Sequence, residues 1–266
     1  MWKMSIDSTS FFITCRYSLM LELTSKAHMG MTAYKIIQHC TALKKPLTRR
    51  HYTNALLAIS NYSLHANLAE EILNLMKANG KAPNRMNYEC VMSVFIKAGN
   101  MKKAEELFQE MIDHHIDPTV WTYNLLLNGC LKTNNCDRGL ELFTEMQSRN
   151  IKPDTISCNT MIKIMGENNK YNMMEMLLNQ MSQFEIPIDI ITYNTLIGMY
   201  CRKGDVKKAF SLFYSIPPTL SPDIKTYNTL ISGCSHIQDL DTAKNVYHQI
   251  IAKGLLPNVF MTLFCS

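Results

Sequence analysis

Apolar residues recur along most of this chain at spacings of three and four, which is the pattern of an amphipathic helix. In the segment from Lys102 to Asp113 the apolar residues share one helical face. They are Ala104, Leu107, Phe108 and Met111. A second helical pattern lies in front of this segment, and Gly99 separates the two. Polar clusters such as Asn134-Asn135 take the place of the glycine further along, so the pattern predicts a series of helix pairs.

The helix pairs return with a period of about 35 residues. Counting from Asn124 at this period gives a column that is rich in asparagine and consists of Asn54, Glu89, Asn124, Asn159, Asn194 and Asn228. A second column is rich in methionine and consists of Met76, Met111, Met146, Met181, Ile216 and Ile250. Independent columns that keep one period indicate internal repeats.

Six repeats can be delimited in this frame. They span residues 50–84, 85–119, 120–154, 155–189, 190–223 and 224–258. Residues 1–49 form an N-terminal segment, of which 15–49 fits a degenerate repeat with Gly30 at the break, and residues 259–266 begin a further repeat. One helical hairpin cannot bury its apolar face alone, so neighbouring hairpins are expected to stack. The predicted fold class is all-α, a right-handed α-solenoid of stacked helix-turn-helix repeats.

Composition and charge limit the function classes. Hydrophobic residues make up 47% of the chain, which excludes a disordered tail, and the formal net charge of +5 is compatible with a polyanionic partner. No apolar run approaches the roughly 20 residues of a membrane span, so no membrane partner is expected. The first 20 residues contain Asp7 as their only acid, as in a degraded targeting segment. We therefore expect a location in the mitochondrion or another organelle.

Nine cysteines occur in the chain, but none forms a C-x-x-C pair or precedes a histidine at zinc-finger spacing. We interpret them as small buried hydrophobic residues in a reducing compartment, with a redox or metal role as the alternative. The H-x-E and C-x-x-C signature of zinc deaminases, a glycine-rich phosphate loop and an acidic cluster are all missing. The sequence therefore predicts no catalytic residues, no metal, no cofactor and no small-molecule substrate.

Several phrases of the sequence are similar to the pentatricopeptide repeat. V-W-T-Y-N-L-L-L-N-G-C-L-K and I-I-T-Y-N-T-L-I-G-M-Y-C resemble its first helix, A-E-E-L-F-Q-E-M resembles its second, and N-I-K-P-D resembles its closing loop. The tetratricopeptide repeat has a similar length, but its W-x-x-L-G-x-x-Y pattern is absent here. The resemblance covers residues 50–258. Because each repeat of that family reads one RNA base, it implies single-stranded RNA as the partner.

The resemblance also implies which residues select each base, namely the asparagine-column residue and the last residue of the same repeat. The implied uracil-selecting pairs are Asn124 with Asp154, Asn159 with Asp189, and Asn194 with Asp223. The implied pairs that favour cytosine over uracil are Asn54 with Asn84 and Asn228 with Asn258. Repeat 85–119 departs from the pattern with Glu89 and Thr119, and it receives no base. The expected site, from 5′ to 3′, is pyrimidine, unassigned, U, U, U, pyrimidine.

Two further sets of contacts follow from the resemblance. The residues expected to sandwich the bases are Trp121, Ile156 and Ile191, and the same column contains His51, Met86 and Lys225. The residues expected at the phosphates are Lys97, Lys132 and Arg202, whereas the other repeats have Tyr62, Glu167 and His236 there. Binding would support organellar RNA processing, stability, translation or ribosomal RNA maturation, with other RNA-processing or ribosomal proteins as partners.

Alternatives to the RNA interpretation remain open at this point. Asp154, Asp189 and Asp223 each precede a predicted helix, where aspartate is a favoured N-cap. Lysine and arginine on an exposed helix are most often solvated charges. A protein-binding scaffold could use the same groove for a peptide, and a mitochondrial ribosome assembly factor could combine both functions.

Overall fold

The computed structural model describes residues 17–60 and 63–254, and all regular structure within them is helical. The first helix, α1, includes residues 17–26. The following helices are α2 (Gly30–Ala42), α3 (Arg49–Ile59), α4 (Ala66–Ala78), α5 (Arg85–Lys97), α6 (Met101–Asp113), α7 (Val120–Lys132), α8 (Cys136–Ser148), α9 (Thr155–Glu167), α10 (Tyr171–Gln183), α11 (Ile190–Lys203), α12 (Val206–Tyr214), α13 (Ile224–His236) and α14 (Leu240–Ala252). A short 3₁₀ turn covers Ser63–His65. The predictions for residues 1–16, Tyr62, Asn258 and residues 259–266 fall outside the described residues.

The helices belong to two compact units that divide between Thr133 and Asn134. In the first unit, the successive first helices α3, α5 and α7 pack side by side, and α4 and α6 pack against them. The degenerate repeat precedes these as α1 and α2, with Gly30 as the first residue of α2 and α2 packed on α3. In the second unit, α9, α11 and α13 pack side by side in the same way, with α8, α10, α12 and α14 against them. Each unit is therefore a stack of helical hairpins.

Capping side chains fix the start of each first helix from α3 onward. Asn84, Asp154, Asp189 and Asp223 each accept a hydrogen bond from the backbone N–H three residues further on. The side chain of that third residue in turn accepts a hydrogen bond from the backbone N–H of the cap residue, which completes a capping box. Its side chain is buried in every repeat. The buried residues at this position are His51, Asn87, Thr122, Ser157, Thr192 and Thr226.

In four of the repeats, the break between the paired helices lies where a glycine or an asparagine adopts the left-handed conformation. Gly99 and Gly204 have φ of 79° and 83°, and Asn134 and Asn169 reach φ of 52° and 58°. Such residues end a helix at little cost, since glycine has no Cβ and asparagine tolerates this region. The predicted breaks are therefore confirmed.

The methionine-rich column belongs to the buried core of the stacked helices. Met76, Met111, Met146, Met181 and Ile250 are fully buried. Ile216 is only half-buried, because α12 ends at Tyr214, before this position. Pro217 and Pro218 follow directly, and the residue before a proline disfavours the helical conformation.

The first repeat begins one residue earlier than the sequence frame indicated. Thr48 caps α3 and His51 is the third helical residue, so Tyr52 takes the fully buried place that Tyr88, Tyr123 and Tyr227 have in other repeats. Tyr52 and Tyr88 are 36 residues apart, whereas α4 and α6 start 35 apart, at Ala66 and Met101. The extra residue therefore lies in the connection between α3 and α4, and the repeat spans 49–84 rather than 50–84.

The close packing of α11 and α13 in the second unit can be tested by replacing a glycine at their contact. A Cβ atom at Gly233 of α13 would stand 2.3 Å from Cys201 Sγ and 2.6 Å from Cys201 Cβ, next to the backbone of α11. We expect Gly233→Ala to lower the free energy of unfolding by about 1–2 kcal/mol, since overpacking costs about 1–3 kcal/mol and the better helix propensity of alanine offsets up to about 1 kcal/mol. Chemical denaturation measures the change.

Gly198 of α11 is the matched control for this substitution. A Cβ atom there would meet only Thr229 Cγ2, at 3.4 Å. Gly198→Ala should therefore raise the free energy of unfolding by up to about 1 kcal/mol through helix propensity. Equal responses of the two variants would contradict the close packing of α11 and α13.

Candidate nucleic-acid interface

The asparagine column and the ends of the repeats meet at the starts of α11 and α13 in the second unit. Asn159 Nδ2 donates to Asp189 Oδ1 over 3.3 Å, although the two residues are 30 positions apart. Asp189 Oδ1 also accepts from the backbone N–H of Thr192 at 2.7 Å. The Thr192 hydroxyl lies 2.8 Å from the same oxygen and 2.7 Å from Asn159 Oδ1. Asp189 is therefore a helix cap and the partner of Asn159 at once, so the two interpretations of this residue do not exclude each other.

The next repeat has the same arrangement with one difference. Asn194 Nδ2 donates to Asp223 Oδ1 over 3.3 Å, and Asp223 caps α13 through the backbone N–H of Thr226 at 2.9 Å. Asn194 Oδ1, however, is buried and accepts no hydrogen bond within the described chain, and the same is true of Asn228 Oδ1. A buried acceptor without a partner costs free energy, so these two oxygens are unsatisfied acceptors in the asparagine column.

Asp189 and Asp223 remain charged at neutral pH. Partial burial disfavours the Asp189 carboxylate, but hydrogen bonds from the backbone and hydroxyl of Thr192 and from Asn159 outweigh it and lower its pKa. The pKa of Asp223 is lowered in the same way, with Thr226 and Asn194 as donors. Because an ionised carboxylate only accepts, both residues present an acceptor beside the asparagine amide.

The pair of Asn124 and Asp154 has one member in each compact unit, and its base selection stays a prediction. Asn124 is half-buried in α7, and Asp154 caps α9 with its Oδ1 at 2.8 Å from the Ser157 backbone nitrogen. Asn124 is therefore half-buried like the corresponding asparagines of other repeats, and Asp154 caps a helix as Asp189 and Asp223 do. The partner of Asn228 would be Asn258, which lies beyond the described residues.

The first repeat differs from the sequence frame at the asparagine column. Asn87 Nδ2 donates to Thr53 Oγ1 over 2.9 Å, which places Thr53 in the relation that Asn159 has to Thr192. Asn54 stands one residue further along α3, and its buried Nδ2 has no partner among the described residues. In the first repeat Thr53, not Asn54, therefore stands at the position of the asparagine column, and the base selection by Asn54 with Asn84 stays a prediction. The signal in the sequence was the tyrosine that precedes the column, at Tyr52 as at Tyr123.

The residues expected to sandwich bases are exposed apolar side chains in four repeats. Their exposed fractions are 50% for Met86, 60% for Trp121, 59% for Ile156 and 61% for Ile191. His51 is different, because it is buried as the capping-box residue of α3. Because the first repeat is shifted by one residue, Arg50 stands at its sandwiching position, and Arg50 is exposed. Large apolar residues that recur exposed at one position of a repeat indicate a binding surface.

A groove of about 690 Å³ in the second unit brings the separate predictions together. Its lining includes Asn194, Asp223 and Asn228, which were predicted to select bases. It also includes Ile191, predicted to sandwich a base, and Arg202, predicted to lie at a phosphate. Lys163, Lys225 and His236 add basic groups to the same surface. The sequence frame missed Lys163, because it lies one helical turn before the phosphate column, where its own repeat has Glu167.

The three residues expected at phosphates differ in their surroundings. Lys132 is exposed at the end of α7. Lys97 is exposed as well, but its ammonium group donates to the carbonyl oxygen of Ser60 at the end of α3, over 2.7 Å. Arg202 Nη1 lies 3.9 Å from Glu167 Oε1, a distance at which solvent weakens the attraction. Each of the three cations therefore keeps donors that a phosphate can accept from.

The cysteines and metal-ligating side chains of the described residues give little support to a redox or metal site. Seven cysteines in the described segments are buried and free. Burial raises the pKa of Cys90, Cys158 and Cys201 to about 12, so these thiols stay protonated. Among the described residues, no group of three or more His, Cys, Asp or Glu side chains is placed to hold a metal ion, and no helix there is long and apolar enough to cross a membrane.

Stacked helix pairs of about 35 residues, with a half-buried polar side chain at the start of each first helix, define a helical-repeat protein. Models of one family match most of the chain. They are the "PPR repeat family" over residues 83–132, 118–163 and 153–197, the "Pentatricopeptide repeat domain" over 51–98, and the "PPR repeat" over 184–214 and 225–255. The chain belongs to the pentatricopeptide repeat family.

Individual relatives are similar to this chain either in the sequence of a short segment or in the fold alone. The pentatricopeptide repeat-containing protein At3g61360 of Arabidopsis thaliana is 30% identical over 59 residues, which are 22% of this chain and 12% of that protein. The maize pentatricopeptide repeat protein PPR10, in complex with an 18-nucleotide psaJ RNA element, superposes with a TM-score of 0.83 at 21% identity, over 94% of this chain and 36% of that one.

A second solved structure is the PPR domain of the Arabidopsis thaliana protein-only RNase P 1, in complex with tRNA. It has a TM-score of 0.62 at 15% identity, over 70% of this chain and 97% of that domain. At these identities the likeness establishes the fold, and it confirms the predicted solenoid of helix-turn-helix repeats. The chain spans 36% of the length of PPR10 and 12% of At3g61360.

Proposed function

We propose that this protein binds single-stranded RNA with one base per repeat and a preference for uracil in repeats 120–154, 155–189 and 190–223. The observation that supports this best is the groove of the second unit, where Asn194, Asp223 and Asn228 line the same surface as Ile191 and Arg202. This combination offers hydrogen-bonding groups for base edges, apolar surface for base faces and a cation for phosphate.

The amide–carboxylate pairs suit uracil by their hydrogen-bonding capacity. The Watson–Crick edge of uracil has one N–H donor between two carbonyl acceptors. The Asp189 carboxylate only accepts, whereas the Asn159 amide both donates and accepts. Together they can complement the alternating pattern of uracil. Repeat 224–258 is proposed to read a pyrimidine through Asn228.

The cellular role is a further part of the proposal. Binding would hold or shield an RNA segment without catalysis by this chain, and would support RNA processing, stability, translation or ribosomal RNA maturation in the mitochondrion or another organelle. PPR10 and the RNase P domain were each solved with RNA, and those complexes are the precedent for the proposed ligand. If the chain were instead a peptide-binding scaffold, its protein partners would remain bound after nuclease treatment.

Homopolymer binding tests the proposal directly. We expect the full chain to bind oligo-U at least about tenfold more tightly than oligo-A in a filter-binding assay at one fixed salt concentration, because three of its repeats are proposed to prefer uracil. Asn159→Thr should shift the preference of its repeat from U towards G. Asn172→Thr, on the exposed side of α10 in the same repeat, is the matched control. Equal affinity for all homopolymers would refute the base preference, and binding to none would refute the RNA function.

A further inference from the structure

Repeat 85–119 has a carboxylate where four other repeats have an asparagine amide. Glu89 lies on α5 and is half-buried. Its Oε1 accepts a hydrogen bond from the Thr122 hydroxyl at 2.6 Å, and the Thr119 hydroxyl is 3.5 Å away. Thr122 is the buried capping-box residue of α7, so this bond ties the carboxylate to the rigid start of the next helix.

The hydrogen bonds leave Glu89 with acceptor capacity. An ionised carboxylate has about four lone-pair sites on its two oxygens. Both threonine hydroxyls approach Oε1, and the described chain provides no hydrogen-bond donor for Oε2. Held in the same place as Asn159 in its repeat, Glu89 therefore offers acceptors on both oxygens and no donor at all.

Only one of the four bases presents two adjacent donors on its Watson–Crick edge. Guanine has N1–H beside the N2 amino group, and a carboxylate can accept from both. Uracil has one N–H between two carbonyl oxygens. Cytosine and adenine each place a ring nitrogen acceptor next to their amino group. For these three bases at least one acceptor lone pair would face the Glu89 carboxylate, which is unfavourable in a partly desolvated site.

We propose that repeat 85–119 selects guanine, with the Glu89 carboxylate accepting hydrogen bonds from N1–H and N2–H. This inference rests on the proposed RNA function and extends it to the repeat that the sequence left unassigned. Met86 stands on the same helix, is 50% exposed, and provides an apolar surface for the base face. Charge-assisted hydrogen bonds to a carboxylate are stronger than neutral ones, so the selection should be sharp.

The test uses the full chain and four RNAs of the form 5′-AAA-U-N-U-U-U-U-AAA-3′, in which only N changes. We expect the RNA with guanine at N to bind about tenfold more tightly than the others. Glu89→Gln should remove this advantage. The glutamine amide replaces one acceptor oxygen with a donor group, which cannot accept a hydrogen bond from guanine. Asp117→Asn, which removes one negative charge from the exposed loop of the same repeat, should change all four affinities equally.

The outcomes separate this inference from the proposed function. If the four RNAs bind equally but all bind more tightly than an all-adenine RNA of the same length, the guanine assignment fails and the uracil preference stands. If the all-adenine RNA binds as well as they do, the base preference of the proposed function fails, and if no RNA binds, the RNA function fails. The comparison of the four RNAs on the unmodified chain decides the question even if Glu89→Gln does not fold.

Discussion

Asp189→Ala is expected to weaken both folding and RNA binding, because this side chain has two partners. It caps α11 through Thr192 and hydrogen-bonds Asn159 of the preceding hairpin. Loss of an N-cap costs about 1 kcal/mol, and the Asn159 amide and Thr192 hydroxyl would each lose an acceptor as well. We expect the free energy of unfolding to fall by about 2 kcal/mol. The affinity for a uracil-containing RNA should fall by at least about tenfold.

Asp205→Ala provides the matched control, because Asp205 is also a helix cap. It accepts from the backbone N–H of Lys208 at 3.1 Å and starts α12, the second helix of its repeat. Its loss should lower the free energy of unfolding by about 1 kcal/mol and leave RNA affinity unchanged. Thermal melting and filter binding, the latter well below both melting temperatures, give the two readouts. If Asp189→Ala binds RNA like Asp205→Ala, then Asp189 is a cap and nothing more.

Trp121→Ala is expected to reduce RNA affinity strongly without lowering stability. The indole is 60% exposed on α7, so little apolar burial is lost on truncation. Stacking of a base on an aromatic side chain contributes about 1–3 kcal/mol, which corresponds to about 5- to 150-fold in Kd. Fluorescence anisotropy with a labelled RNA measures the change. Trp121→Phe should retain most of the affinity, because a smaller aromatic face remains.

The control for this variant is an exposed apolar residue away from the first helices. Met176 on α10 is 64% exposed. Met176→Ala should therefore leave both RNA affinity and melting temperature unchanged. Loss of affinity in Met176→Ala to the same extent would indicate a nonspecific apolar contribution, and an unaffected Trp121→Ala would remove the stacking role of this column.

Several elements of the fold could be predicted because their causes are local in sequence. The segment from Lys102 to Asp113 was predicted as a helix, and α6 spans Met101–Asp113. Gly99 and the Asn134-Asn135 cluster were predicted as breaks, and Gly99 and Asn134 have the left-handed backbone that ends the helices. Helical periodicity and helix-ending residues act within a few positions, so one sequence is enough to recognise them.

The frame of the first repeat could not be obtained by counting at a fixed period. The connection between α3 and α4 is one residue longer than its equivalents, and the hydrophobic pattern does not constrain the length of a connection. Alignment on the buried tyrosines would have found the shift, since Tyr52 precedes Thr53 as Tyr123 precedes Asn124. The column of buried capping-box residues was also missed, although a polar or small residue stands before each of these tyrosines.

The sequence by itself determined the repeat, the helix pairs and the family, because a recurring apolar pattern and recurring helix ends specify a stack of hairpins. Tertiary structure decided which side chains share a site. Asp189 is 30 residues from Asn159 in the chain, yet their hydrogen bond forms because α11 packs beside α9 and brings its cap to the neighbouring amide. Packing likewise put Thr53 in the place expected for Asn54, and added Lys163 to the groove. Contacts between hairpins depend on helix approach and connection length, and neither quantity is encoded in the spacing of apolar residues.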